Sequence, residues 1–377
     1  MPLLQAYLQG IRSLDLRRLP DPEPGPGQVL VRVRASLTCG TDLKTYRRGH
    51  ARIPVPGPFG HEASGDVIAV GPGVDRFRPG DAVVWVPTVP CGACEACRRG
   101  LENQCETLFD RITLGAHADM VLLPAPLVER HVFLKPAHAS YAGAALLEPL
   151  ACVVRGLRRL ERVLAGPGGG DRDGLAGQRL LIIGVGAIGL LHVAAARRRG
   201  AGEIWVVGGR RSGLDLARRL GADRVFPGRL PEVEADLLAA AGPLGIDAVI
   251  ECTGSAEVWQ RSPALVRPGG TVLLFGGLAG GTQVSFDAAR IHYDEVTLLG
   301  SFHYTPEDVR QAYDLLSGDP AFARSLEALI TERRPLADVV RVFEELDAGR
   351  DAVKIAFEPG AGGPGAGTGG AAGGGGS

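Results

Sequence analysis

The stretch CGACEACRRGLENQC, residues 91–105, places Cys91, Cys94, Cys97 and Cys105 together in a chain with seven cysteines altogether. Two chemistries use thiols this dense. A disulfide framework belongs to small exported chains with too little core. This chain has 377 residues and a 45% hydrophobic composition, enough to bury large cores. Its start, MPLLQAYLQGIRSLD, has no basic head followed by a long apolar run, so no export signal is read there. A tetrahedral metal site is the better reading. Short loops aim several thiolates at one ion, and Zn²⁺ accepts four sulfurs without redox chemistry. Four ligands leave no open position, so this zinc is structural. Gly92, Gly100 and Asn103 permit the tight turns. An iron–sulfur centre is the alternative for the same thiols.

A second stretch, GVGAIG, sets Gly184, Gly186 and Gly189 at the spacing G-x-G-x-x-G, with Ala187 and Ile188 between the last two. With 55 glycines in the chain the motif alone is weak. Here it follows LLII and precedes LLHVAAARRRG, the strand, tight turn and helix that a dinucleotide site needs. Gly184 permits the turn, Gly186 lets a pyrophosphate approach the backbone, and Gly189 allows close helix packing. The helix N-terminus then faces the phosphates. The next strand ends in VVGGRR. A carboxylate at its end would bind the ribose hydroxyls of NAD. Gly208 stands there instead, followed by Arg210 and Arg211. Missing negative charge and two guanidinium groups favour the 2′-phosphate of NADP. NAD stays possible if both arginines are merely solvated.

Other metal donors are spread along the chain. Cys39 lies in TCGTD, His61 and Glu62 in GPFGHEASG, and Glu148 in LLEPLA, where an acid interrupts an apolar segment. A buried carboxylate is costly unless a metal or a charged partner meets it. Cys39, His61 and a carboxylate make the mixed shell of a catalytic zinc with one open position. Singly, Cys39 reads equally well as a core cysteine and His61 as a structural hydrogen-bond donor. Cys152 and Cys252 read as ordinary buried cysteines.

These residues need two kinds of scaffold. Residues 1–150 read as short strands and turns, with strands at VLVRVRAS and ASGDVIAVG and after the turn in FRPGDAVVWVP. From residue 139, ASYAGAALLEPLACVVRGLRRL reads as helix with a break at Pro149. GPGGGDRDG, residues 166–174, reads as a linker. From Gln178 strands and helices alternate in an α/β pattern. After about residue 297 a strand precedes a helix begun near Thr305 and Pro306, and DAVKIAFEP closes as a strand. The glycine-rich end, 358–377, has no apolar pattern able to repay ordering entropy.

Composition excludes several partners. The 41 basic and 42 acidic side chains leave a net charge of -1, so no general attraction to nucleic acid or an anionic membrane is expected. No run approaches the roughly 18 apolar residues of a membrane span. A cytoplasmic location is expected.

Taken in order, CGTD, GHE, the C-x2-C-x2-C-x7-C lobe, LLEPLA and GVGAIG resemble the zinc-dependent medium-chain alcohol/polyol dehydrogenase family over residues 1–357. The resemblance implies a GroES-like β-rich catalytic domain, residues 1–150 and 297–357 with the lobe at 91–105. A Rossmann domain of doubly wound parallel sheet interrupts it at 151–296. The active site then lies in the cleft between them. The resemblance assigns catalytic zinc to Cys39, His61 and Glu148, with Glu62 ligating directly or exchanging with Glu148 or water. Glutamate in LLEPLA is similar to the sorbitol and threonine dehydrogenase branch. The resemblance further implies that zinc favours loss of the substrate hydroxyl proton, that Thr41 matches the hydroxyl residue that passes it outward, and that the carbon gives hydride to the nicotinamide. Many members carry histidine where this chain has Lys44, which normally titrates far higher, so the proton leaves either to bulk water or through a lysine of altered pKa. His50 lies close by in sequence.

A secondary alcohol in a polyol or sugar is the expected substrate. Asp42, Tyr46, Arg290, His292 and His303 are candidate pocket contacts. L-threonine 3-dehydrogenase activity is the alternative, and a non-catalytic nucleotide-binding protein is a third reading that the intact zinc donors oppose. The family implies a homotetramer or homodimer paired through the Rossmann domain.

Overall fold

A computed structural model describes residues 3–165 and 174–360. Most of the 166–174 linker and the end of the chain beyond Gly360 lie outside the described residues. Glu358 itself still belongs to a strand.

Alternation builds the first sheet. Val29–Leu37 buries its valines and exposes Arg32 and Arg34. It pairs antiparallel with Ala63–Val70, with Met120–Leu123 and with the last strand, Lys354–Glu358. The full sheet has seven strands on its main path or joined to it, and Ile330–Pro335 lies parallel to Lys354–Glu358 at one edge. The final strand therefore returns to the first domain. A hairpin of Leu3–Gly10 and Ser13–Leu19 covers one end of the domain. The sequence reading had not singled it out.

Continuous apolar runs build the second sheet. LLII, the interior of GEIWVVG and AVIE are buried along their length, as strands covered on both faces must be. Six parallel strands run in the order Arg224–Pro227, Glu203–Gly208, Arg179–Ile183, Ala248–Glu251, Thr271–Leu274, Thr297–Gly300. The order reverses beside Arg179–Ile183, the strand that feeds the glycine turn. Ligands of open α/β sheets bind at such a switch point. The sheet continues past residue 296, because Thr297–Gly300 pairs in parallel with Thr271–Leu274.

Two helices connect the domains. Tyr141–Ala145 ends at Leu146, and Leu147–Leu164 begins at once. Pro149 falls in the first turn of the second helix, where its missing N–H leaves no bond unmade. The expected break is thus a junction between helices, and it turns Glu148 into the cleft.

Candidate active site

Cys39 caps the helix Gly40–Arg48, accepting the Thr41 N–H on its Sγ at 3.4 Å. That helix carries Asp42, buried at 2% exposure, toward His61. Asp42 Oδ1 meets His61 Nδ1 at 2.9 Å. The bond fixes the ring through Nδ1, the arrangement of a metal-ligating histidine with a carboxylate behind it, and the ring also hydrogen-bonds Cys39. Burial alone would lower the His61 pKa. The charges of Asp42 and Cys39 overcome it and hold the imidazole well above its ordinary value.

Glu62 follows His61 but has no exposure at all. Its carboxylate is gripped by Lys354, with Nζ 2.5 Å from Oε1 and close to Oε2 as well. Lys354 also donates to the Thr38 carbonyl at 3.0 Å. Burial works against the ammonium, yet Glu62 and Cys39 keep its pKa raised. Reading the chain from one end to the other had missed Lys354. A lysine in the final strand is no signal until the fold shows the acid beside it.

Glu148 is buried in the first turn of Leu147–Leu164. Burial and the charge of Glu62 push its pKa up to about 7, against the pull of His61 and Lys354. A carboxylate under that pressure is relieved by a cation. Metal-capable atoms fall into two groups in this region, each within 4.8 Å among its members. One is Cys39, His61 and Glu62; the other is Glu148, Cys152 and His303. Cys152, first read as an ordinary core cysteine, thus faces the same chemistry one turn after Glu148.

His303 has a backbone φ of 58°, unusual for a residue other than glycine. Its Nε2 meets Thr88 Oγ1 at 2.7 Å. Burial and the charge of His61 hold its pKa down at about 3, so the ring is neutral. His303 thus lines the cleft, and Asp42 stands behind His61. Tyr46 instead packs on Phe343. Arg290 is taken up by the Pro263 and Val266 carbonyls, and neither it nor His292 lines the cleft.

Cys39, His61, Glu148, Cys152 and His303 open into one cavity of about 440 Å³ between the domains, while Glu62 lies behind its wall. Cys39, Thr41, Lys44, His61 and Glu148 line one side, and Gly186, Ala187 and Ile188 line the other. Lys44 reaches across, donating to the Gly277 carbonyl at 3.2 Å. Burial and Arg48 lower its pKa. His50 lines the wall too, and burial and Arg52 lower its pKa. Cys252, also first read as core, borders this cavity and its neighbour.

The neighbouring cavity, about 400 Å³, extends from the glycine turn past Gly208, Gly209, Arg210 and Arg229. Gly184 has φ 115°, and a Cβ on Gly189 would stand 1.9 Å from the Gly184 carbonyl oxygen. Both glycines are required by the turn. A Cβ on Gly208 would stand 2.6 Å from the Val185 side chain, so an acid there would need Val185 to move. Arg210 lines this cavity; Arg211 starts the next helix and does not. Arg229 is a second guanidinium that the spacing had not disclosed.

The lobe brings Cys91, Cys94, Cys97 and Cys105 together, with all four Sγ atoms within 4.8 Å of one another and no disulfide. The Ala93 and Cys94 N–H groups lower the Cys91 pKa to about 6, while burial and neighbouring sulfur raise Cys97 to about 12. Four crowded thiols fit one tetrahedral soft-ligand cation. Cys39, His61 and Glu62 together, with Glu148 in the adjoining group, are the kinds of donor that suit a second zinc.

Comparison with known proteins agrees with this geometry. Residues 25–132 match the Alcohol dehydrogenase GroES-like domain family, and residues 187–318 match the Zinc-binding dehydrogenase family. D-altritol 5-dehydrogenase of Agrobacterium fabrum is 32% identical over 91% of this chain and 95% of its own. L-threonine 3-dehydrogenase of Pyrococcus furiosus is 33% identical over 71% of this chain and 73% of its own. A Sinorhizobium meliloti 1021 chain solved with NADP bound superposes with a TM-score of 0.81 at 31% identity, covering 95% of this chain and 100% of that one. With a thiol, imidazole and carboxylate facing a dinucleotide turn across one cleft, and with relatives matched over nine-tenths of its length, the chain belongs to the zinc-dependent medium-chain alcohol/polyol dehydrogenase family.

Proposed function

We propose that this protein oxidises a secondary alcohol of a polyol or sugar, and reduces the corresponding ketone, with NADP(H) as the preferred cofactor. The observation that carries the reading is the shared cavity, which Cys39, His61 and Glu148 enter from one domain and the glycine turn from the other. Zinc, when bound, polarises the substrate oxygen, and the nicotinamide carries the hydride. The protein's own residues do the rest. Cys39, His61 and Glu148 hold the metal, with Glu62 held in reserve by Lys354. Asp42 orients His61. Thr41 lines the cavity within the first turn after Cys39 and takes the substrate proton at its hydroxyl. Lys44, on the same helix and bonded across the cleft to the Gly277 carbonyl, passes it to solvent. Cys91, Cys94, Cys97 and Cys105 hold the structural zinc.

Several features favour NADP(H). Gly208 is pinned against Val185 without room for an acid, and Arg210 and Arg229 line the same cavity. The Sinorhizobium relative binds NADP. The polyol reading is supported by the altritol dehydrogenase, which matches nearly the whole chain. We further propose a cytoplasmic enzyme, because its lobe needs reduced thiols. A homotetramer or homodimer joined through Thr297–Gly300 suits the edge position of that strand and the exposed Tyr293 beside it. Domain limits near 150 and 300 follow the two sheets.

The test uses zinc-loaded protein, NADH and NADPH, and a panel of ketoses, aldehydes and 2-amino-3-ketobutyrate, with the alcohols assayed in reverse. Ketose reduction strongest with NADPH is expected. Preference for the amino ketone would transfer the enzyme to threonine oxidation, and preference for NADH would overturn the cofactor assignment alone.

A further inference from the structure

Arg210 leaves the strand Glu203–Gly208 and precedes the helix Arg211–Arg219. Its guanidinium folds back over the glycine turn. Nη2 donates to the Val185 carbonyl at 2.9 Å and lies 3.6 Å from where a Cβ on Gly186 would stand. Nη1 donates to the carboxylate of Asp351. Asp351 belongs to the other domain, 141 positions along the chain. It stands three residues before Lys354, the partner of Glu62, and two before Val353, which lines the cleft. The pair therefore ties the cofactor turn to the segment that steadies the zinc site.

This contact is built to exchange. Both side chains are well exposed, 36% for Arg210 and 50% for Asp351. Exposed pairs contribute little, since water and salt screen them. A phosphate offers more charge and a bidentate fit to the guanidinium. The neighbouring backbone leaves space for one: nothing lies within 4 Å of a Cβ placed on Gly209. No acid from the strand end competes, because Gly208 has no side chain. Asp351 is the one carboxylate that Arg210 touches among the described residues.

We propose that Asp351 is a specificity-determining residue that competes with the 2′-phosphate of NADP(H) for Arg210, so that cofactor binding moves Arg210 from an interdomain pair to a cofactor pair. The proposal rests on the NADP(H) reading of the site. It makes the cofactor's extra phosphate the signal that unties the Asp351 segment from the glycine turn. NADH, lacking that phosphate, leaves the pair in place.

The experiment measures NADPH and NADH dissociation constants on the zinc-loaded full chain, for wild type, Asp351→Asn, Arg210→Gln and the double variant. Asp351→Asn frees the guanidinium and is expected to tighten NADPH by up to about fivefold, the scale of an exposed ion pair, with NADH unchanged. Arg210→Gln weakens NADPH by about tenfold or more, the scale of a lost charged hydrogen bond. In the Arg210→Gln background, Asp351→Asn has no further effect. A merely structural role would move both cofactors together, and equal shifts overturn the proposal. Tightening of NADPH by Asp351→Asn without Arg210 also overturns it, since Asp351 would then act by general repulsion. Wild type that prefers NADPH, with Asp351→Asn silent, removes the Asp351 assignment and leaves the cofactor reading standing. Wild type that prefers NADH removes both.

Discussion

Two buried charged side chains meet directly beside the cleft. Glu62 and Lys354 are buried at 0% and 2% exposure and have each other as charged partners. Removing one leaves an uncompensated charge, which costs about 3–5 kcal/mol in such settings. Lys354→Met is expected to lower unfolding free energy by that order, and adding Glu62→Leu to restore most of it. Equal losses in the single and double variants, measured by denaturant titration, would show that packing rather than charge governs the site. His61 gives a second test at this scale. Its folded pKa lies above the ordinary 6.5 through Asp42, despite burial. A raised folded value stabilises below the unfolded pKa, and the gain is lost as pH rises through the folded value. In zinc-free protein, the stability gap between wild type and Asp42→Asn is therefore greatest near and below pH 6.5 and closes on the alkaline side. A gap that widens with pH would contradict the pairing. Zinc must displace the same proton, so its affinity rises with pH.

Among elements, the cysteine lobe is tied to the cleft through Asn103. Asn103 donates to the Phe302 carbonyl at 2.9 Å and accepts from Arg155 at the same distance. Phe302 adjoins His303, so disorder in the lobe reaches the substrate wall. Cys94→Ser is expected to reduce metal content from two zincs per chain to one, lower the melting temperature, and weaken turnover without changing cofactor affinity. Retention of both zincs by elemental analysis would exclude the four-thiol site. The glycine turn offers a separable failure. Ala at position 189 would put its Cβ against the Gly184 oxygen. Gly189→Ala is expected to weaken NADPH binding by about tenfold or more while both zincs remain.

At the scale of the whole molecule, Lys44 to Gly277 and Arg210 to Asp351 are polar contacts that span the cleft among the described residues. Lys44 is the proposed proton exit, and its burial lowers the pKa below the ordinary lysine value of 10.5. The neutral amine accepts a proton, so alcohol oxidation is expected to rise with pH through a value below 10.5. Lys44→Arg removes that limb, because guanidinium stays charged. A pH profile unchanged by the substitution would place the exit elsewhere.

The sequence alone determined whatever depends on neighbours along the chain. Three cysteines spaced by three and a fourth after seven more define a lobe, since short loops leave their thiols little choice of direction. Strand, G-x-G-x-x-G and helix define the dinucleotide turn, because its glycines answer local clashes. His61 and Glu148 were legible as candidate donors for similar reasons, one by its motif and the other as an acid in an apolar run. Strands with clear alternation or continuous burial were legible too, whereas the first hairpin and the true end of the parallel sheet were not. Tertiary structure decided the partners. Lys354 stands 292 positions from Glu62, and His303 is 215 from Thr88. Asp42 was visible only as a pocket candidate until folding set it behind His61. Ion pairs and pocket walls made from distant segments leave no spacing in the chain, because the distance that governs their energy is created only when the sheets and helices pack.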